Sequence, residues 1–387
     1  MYIALLGRQP ALSIAELERR FTRVSWASPT AALIDREHPI DIQTLGGTQK
    51  LGRIVFSIPA RDWRGVSMKI VSHYQKAWAS ETRKITLGIS AYGFDTSVRD
   101  IQKTGLIMKQ KLKASGASMR LVPQQDPALS TAVSHHNKLG LSDTKVELLV
   151  IRGPSHVYVA ESTGAQNITA LAARDQGRPR RDAFVGMLPP KLALLMLNLA
   201  GPLPETARVL DPFCGTGVVL QESLLRGYRA YGTDLSEKMI QYTNDNLNWL
   251  TPQLHNAPDW NTVVGDAIDT QWQPPIDAVV AESYLGQPFS APPSDKKLVE
   301  VRGNCQHIIS GFLKNLASQL APGTPVVLAV PAWKRTDETF VHLPLVADVE
   351  RYGFERVNLK TARPEQLLYA RPDQVVGREI LVLRTKA

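Results

Sequence analysis

One stretch, ARVLDPFCGTGVVLQESLLRG at residues 207–227, limits the folds open to this chain more than any other. An apolar run stops at Asp211, a glycine-rich turn follows, and apolar residues at helical spacing begin near Val218. This strand-turn-helix rhythm recurs to the C-terminus. Strands are expected at 207–211, 229–233, 261–265, 276–281, 324–330, 355–359 and 378–384, behind a leading helix at 192–199. Such alternation builds a parallel sheet with helices on both faces, so 191–387 reads as an α/β domain.

The turn carries Gly215 and Gly217, which let the backbone approach a ligand closely. It leads into a helix N-terminus with unpaired N–H groups. A dinucleotide fold would place G-x-G-x-x-G here, whereas this turn reads D-x-F-x-G-x-G. Asp211, just before the turn, would repel a pyrophosphate and suits a cationic or amino-bearing ligand. The next strand ends in Asp234, roughly twenty positions on, where an acid can accept both hydroxyls of a ribose. The third ends in Gly265-Asp266-Ala267, where an acid can accept from an exocyclic adenine amine. One such acid alone is often just a helix cap. Three at successive strand ends line one crevice and point to one ligand. Cys214 has no Cys or His close by in sequence and is expected to be a small packing residue.

The fourth strand raises a separate question. In DAVVAESYLGQPFS, residues 277–290, an apolar run delivers Glu282, Ser283 and Tyr284 to its carboxyl end. A carboxylate placed in a cleft without a partner is costly unless it has a task.

The front half differs in composition. Residues 1–190 hold 26 of the 45 Lys/Arg and 15 of the 36 Asp/Glu, so the whole net charge of +9 originates there. Charge of that sign suits a polyanion, or simply a solubilising surface. Two α+β blocks are expected, at 1–61 and 62–160. The first opens with a strand at 2–6, and a helix follows from about Ser13, which forms a capping box with Glu16. MYIALLG reads as that first strand and not as a signal peptide. GGTQKLG, 46–52, reads as a turn. The second block contains a basic helix at 98–115 that carries Lys103, Lys109 and Lys113. His135, His136 and Lys138 read as a turn and a solvated face, with RNA contact as the alternative. Residues 161–190 form an extended ordered linker, in which Arg174, Arg178, Arg180 and Arg181 either contact phosphates or pin the linker to acidic surface. Two cysteines, Cys214 and Cys305, suit a reducing cytoplasm and leave no Cys-rich zinc site, so no metal is expected. No run approaches the roughly twenty apolar residues of a membrane span.

The pattern of 207–267 resembles the class I S-adenosylmethionine-dependent methyltransferases, with a Rossmann-like fold. The resemblance implies Asp211, Pro212, Phe213, Cys214, Gly215 and Gly217 around the methionine and ribose of that cofactor. It implies Asp234 and Leu235 at the ribose hydroxyls, and Asp266 with Ala267 at the adenine. Family members that methylate exocyclic amines carry Asp/Asn-Pro-Pro-Tyr/Phe after the fourth strand. This chain keeps an acid, Glu282, and an aromatic, Tyr284, but neither proline. The resemblance then implies that Glu282 orients the amine and Tyr284 stacks on the base. MYIALLGRQPALSIAELERRF, LGGTQKLGRI, KITLGISAYGF, LSTAVSHHNKL and the linker 174–201 look like the ferredoxin-like and THUMP domains of tRNA guanine-N2-methyltransferases. The family implies tRNA as partner, guanosine ten as target, a mostly monomeric chain and, in some members, a small activating subunit. Three alternatives stay open: an RNA methyltransferase with another acceptor, a catalytically inactive tRNA-binding protein, and a small-molecule methyltransferase.

Overall fold

The computed structural model describes residues 1–182 and 188–386. Two compact units divide the chain. The first comprises 1–17, 21–43 and 47–170, and the second 18–20, 44–46 and 171–387.

In the first unit the elements run β1 (Tyr2–Leu6), α1 (Pro10–Arg20), β2 (Val24–Ser28), β3 (Ala31–Ile34), β4 (Thr48–Pro59), α2 (Trp63–Ala77), β5 (Ile85–Tyr92), α3 (Val98–Ala114), β6 (Met119–Leu121), α4 (Thr131–His136), β7 (Lys145–Arg152) and β8 (His156–Ala165). They build one mixed sheet in the order β2-β3-β1-β4-β8-β7-β5-β6. The two blocks read from the sequence therefore share a sheet. Its hinge is β4, which pairs with β1 near its start and with β8 along most of its length. The expected capping box does not form. Pro10 starts α1 one turn earlier, and its fixed φ suits a first helical position. The Ser13 hydroxyl donates to the Gln9 carbonyl at 3.1 Å, and Glu16 Oε2 accepts from the Gly47 N–H at 2.7 Å. GGTQKLG is mostly strand, since β4 begins at Thr48. Inside the sheet, Lys50 and Glu147 form a buried ion pair, and Lys50 Nζ also donates to the Leu129 carbonyl at 2.6 Å.

In the second unit the order is α5 (Ile168–Gln176), α6 (Pro190–Leu199), β9 (Arg208–Asp211), α7 (Val218–Leu225), β10 (Arg229–Asp234), α8 (Glu237–Leu250), β11 (Trp260–Val264), β12 (Ala278–Glu282), α9 (Asp295–Ala317), β13 (Pro325–Lys334), β14 (Phe340–His342), β15 (Phe354–Arg356), β16 (Leu368–Tyr369) and β17 (Val376–Thr385). The expected extended linker is a strand end, then α5, then an irregular segment; its residues 183–187 lie outside the described residues. The main sheet runs β11-β10-β9-β12-β13-β17-β15. Neighbours from β11 to β13 are parallel, while β17 is antiparallel to both β13 and β15. The central strands are mostly apolar, as sheets covered on both faces require, with the charged residues at their ends; Ala278 to Ala281 are fully buried. One face packs against α9 through Cys305, Ile309, Phe312 and Leu316. Another cluster joins Leu220 and Leu224 of α7 to Ile240 and Leu247 of α8. No helix among the described residues is long and apolar enough to cross a membrane.

Candidate active site

The strand order reverses between β9 and β12, and ligands of open α/β sheets bind outside the carboxyl ends at such a point. A cavity of about 820 Å³ opens there. It is lined by the turn after β9, the turns after β10 and β11, residues 282–288, and Asn304 and Ile308 of α9.

The turn after β9 is shaped by backbone that glycine adopts readily. Gly215 has φ +52° and Gly217 φ +80°, and a Cβ at Gly217 would come within 2.9 Å of Thr243 Cγ2. Helix α8 holds the turn from the side. Thr243 Oγ1 donates to the Gly215 carbonyl at 2.8 Å, and Asn246 Nδ2 donates to the Thr216 carbonyl at 2.9 Å. Asp234 is fixed by two N–H donors, Gly215 at 2.9 Å on Oδ2 and Ser236 at 2.9 Å on Oδ1. Each oxygen retains acceptor capacity, which fits a pair of hydroxyls. Asp266 Oδ1 accepts from the Ile268 N–H at 3.0 Å, and Asn315 Nδ2 anchors the Ala267 carbonyl at 3.1 Å. Asp211 is 2% exposed. Burial pushes its carboxyl well above the ordinary carboxylate range; the Phe213 N–H opposes this, and the nearby charges of Asp234 and Glu282 add to it. Burial likewise raises the Cys214 thiol, in keeping with a packing residue.

The lining fits a cationic nucleoside. Among the described lining residues, Asp182, Asp211, Asp234, Asp266 and Glu282 are acidic, and Lys238 alone is basic. Lys238 is itself paired with Asp182 at 3.0 Å. Leu235, Met239 and Ile268 supply apolar surface beside the acids.

Glu282 and Tyr284 line the same cavity. Tyr284 is 39% exposed. Ser283 turns into the sheet, where its hydroxyl and its N–H both reach the Ala329 carbonyl at 2.9 Å. Glu282 is not the unpartnered carboxylate that the sequence suggested. Arg378 of β17, itself 4% exposed, donates from Nε to Glu282 Oε1.

The structure brings together every residue named for the cofactor and both named for the acceptor, except that Gly217 borders the cavity without lining it. It separates the named RNA contacts. Lys103, Lys109 and Lys113 are exposed on α3, and Arg181 is exposed. Arg174 is corrected: its guanidinium pairs with buried Glu222 at 2.6 Å and is not presented to phosphates. Arg178 is corrected too, being 3% exposed. Arg180 pairs with Asp245 at 2.6 Å and stacks over Tyr242 at 5.4 Å. Arg174 and Arg180 thus pair with acidic residues of the second unit, as the blander of the two sequence readings has it. Sequence reasoning missed Thr243, Asn246, Asn315 and Arg378. The first three lie on helices where only the strand-end turns had drawn notice, and Arg378 lies in a strand read solely for its apolar pattern.

The order 3-2-1-4-5-7-6 with an antiparallel seventh strand, beside the glycine turn and the acidic crevice, is the fold found in class I S-adenosylmethionine-dependent methyltransferases. Residues 178–281 match the family model described as UPF0020: RMKL-like, methyltransferase domain. The chain is similar to the tRNA (guanine(10)-N2)-dimethyltransferase of Methanothermobacter thermautotrophicus, 33% identical over 159 residues, 41% of this chain and 43% of that one. It is also similar to the protein of that name from Pyrococcus abyssi, 33% identical over 108 residues, 28% of this chain and 27% of that one. The matches thus span less than half the length of these relatives. In fold, the chain resembles TrmN from Thermus thermophilus with a TM-score of 0.52, 16% identity and 99% of each chain covered.

Proposed function

We propose that this chain is a tRNA methyltransferase that transfers a methyl group from S-adenosylmethionine to the N2 amine of a guanosine, position ten by resemblance. The observation that carries the reading is that Glu282 and Tyr284 line the same cavity as the glycine turn and its acids. The curated relatives named above, whose names specify this reaction, support it.

The residues present fit the cofactor. Gly215 and the backbone up to Gly217 would hold its amino-acid part, Asp234 its ribose hydroxyls, and Asp266 with Ala267 its adenine. Bound there, S-adenosylmethionine supplies an electrophilic methyl on a cationic sulfonium. The chain's own residues must present the acceptor. An exocyclic amine is a weak nucleophile because its lone pair is delocalised into the ring. The carboxylate of Glu282 accepts the amine hydrogens and aims the lone pair, and the proton that nitrogen must lose lies on that hydrogen bond. Tyr284 stacks on the base, which must leave the tRNA stack to reach a cleft of this kind.

In the first unit we assign 1–61 to a ferredoxin-like domain and 62–160 to a THUMP domain that grips tRNA, with exposed Lys103, Lys109 and Lys113 at phosphates. Residues 161–190 act as linker and 191–387 as the catalytic domain. The setting is cytoplasmic. The chain is monomeric unless a small activating subunit joins it.

The test is transfer of radiolabelled methyl to tRNA that lacks its own modifications, followed by nucleoside analysis. Label in N2-methylguanosine supports the reading. Label in another nucleoside moves the acceptor, and tRNA binding without label marks an inactive binding protein. Glu282→Ala is expected to lower turnover about 100-fold or more while cofactor affinity stays within about threefold. Wild-type turnover in that variant removes the assigned role.

A further inference from the structure

We infer that Arg378 is a positioning residue for methyl transfer: it holds the Glu282 carboxylate in the orientation that receives the acceptor amine. The inference rests on the proposed function. Three observations carry it.

The first is register. Glu282 on β12 pairs with Ala329 on β13, and Ala329 pairs with Ile380 on β17. Paired residues of neighbouring strands share a face, and so do residues two apart on one strand. Arg378 therefore stands on the same face as Glu282, two strands away, and its side chain crosses β13 to reach it.

The second is burial. Arg378 is 4% exposed and does not line the cavity, whereas Glu282 does. A buried guanidinium needs an anion, and a carboxylate at the cavity wall supplies it. Arg378 thus acts from behind the wall, through Glu282, without touching the acceptor.

The third is the division of the carboxylate. The Nε hydrogen bond engages Oε1. A carboxylate has capacity for several donors, so Oε2 can still accept from an amine. Glutamate has a long, rotamer-rich side chain, and a fixed Oε1 removes most of that freedom before substrate arrives. Ser283, tied through N–H and hydroxyl to the Ala329 carbonyl, fixes the next link of backbone in the same way.

The experiment compares wild type with Arg378→Met, Arg378→Lys, Glu282→Gln and the Arg378→Met/Glu282→Gln double variant. Single-turnover methyl transfer to unmodified tRNA and cofactor affinity are measured for each. Arg378→Met is expected to slow transfer about 100-fold, as a misplaced catalytic group does, with cofactor affinity within about threefold. Arg378→Lys should recover part of the loss. In the Glu282→Gln background, Arg378→Met should cost less than about threefold, because the charged carboxylate whose placement it sets is gone. Wild-type transfer by Arg378→Met, or an undiminished penalty in the double variant, overturns the inference. A crystal structure of Arg378→Met reads the same point without catalysis: the Glu282 carboxylate should leave its present position, and an unmoved carboxylate overturns the inference. Absence of N2-methylguanosine with the wild-type protein counts against the proposed function instead.

Discussion

The two sides of the cavity hold their functional groups by different means. Around the glycine turn of the cofactor side the ties are short in sequence and each involves backbone. Gly215 N–H holds Asp234, 19 residues on, and Thr243 holds the Gly215 carbonyl across 28. On the acceptor side the ties are long and run through side chains. Ser283 is anchored to Ala329 across 46 residues, and Glu282 to Arg378 across 96. A site built from turn geometry resists side-chain substitution elsewhere. A site built on one distant ion pair can be undone, or retuned, by a change far from the chemistry.

The largest effect that would test this contrast is at Asp234. Its carboxylate both orders the Gly215 N–H and, in the proposed role, accepts two ribose hydroxyls. Hydrogen bonds to a charged group are worth about 1.5–3 kcal/mol each. Asp234→Ala should therefore weaken S-adenosylmethionine binding about 100-fold or more in calorimetry. Asp234→Asn keeps one acceptor and should lose less. Affinity within about threefold of wild type in the alanine variant would mean that the turn itself, without its acid, makes the cofactor side.

A smaller effect is expected at Tyr284. Base stacking on an aromatic ring contributes about 1–3 kcal/mol. Tyr284→Ala should lower kcat/KM for tRNA about 10-fold or more and leave cofactor binding unchanged, whereas Tyr284→Phe should stay near wild type. Equal losses in both variants would move the role from the ring to the hydroxyl. A parallel loss of cofactor affinity would show that the two sides are not separable.

The same contrast decides what the sequence disclosed. The cofactor side was legible because each acid sits where an apolar strand stops, and because glycines at Gly215 and Gly217 mark an unusual backbone locally. Strand positions followed for the same reason: β12 was expected at 276–281 and lies at Ala278–Glu282, and β17 was expected at 378–384 and lies at Val376–Thr385. Strand β2 escaped notice because it is short and its Val24, Ser25 and Trp26 are not buried, so no apolar pattern announces it. Arg378 escaped for another reason. Its meaning comes from crossing β13, and no periodicity in a strand reports what lies two strands away. The arginines of 174–181 looked alike in sequence, yet Arg174 pairs inward with Glu222 while Arg181 faces solvent. Composition reports that the charges are present; only packing decides which of them reach a partner outside.

Asp211 joins the two sides, since the charges of both Asp234 and Glu282 bear on it after burial has already raised its carboxyl. A carboxyl whose folded-state titration is raised supports the folded protein at low pH. That support is lost as pH rises through the raised value. Asp211→Asn has no charge to bury. Its thermal midpoint without cofactor should match wild type below the ordinary carboxylate range and exceed it as pH rises above that range. A gain of about 1 kcal/mol would be about 2–4 °C for a domain of this size. The cation of S-adenosylmethionine favours the ionised carboxylate, so its binding should release protons from wild type and fewer from Asp211→Asn. Calorimetry in two buffers of different ionisation enthalpy measures that difference. S-adenosylhomocysteine lacks the sulfonium charge but keeps the ammonium, so it should release fewer protons from wild type than S-adenosylmethionine does. Release on S-adenosylmethionine binding that is equal in wild type and Asp211→Asn would assign the protons to another group and leave Asp211 as packing beneath the turn.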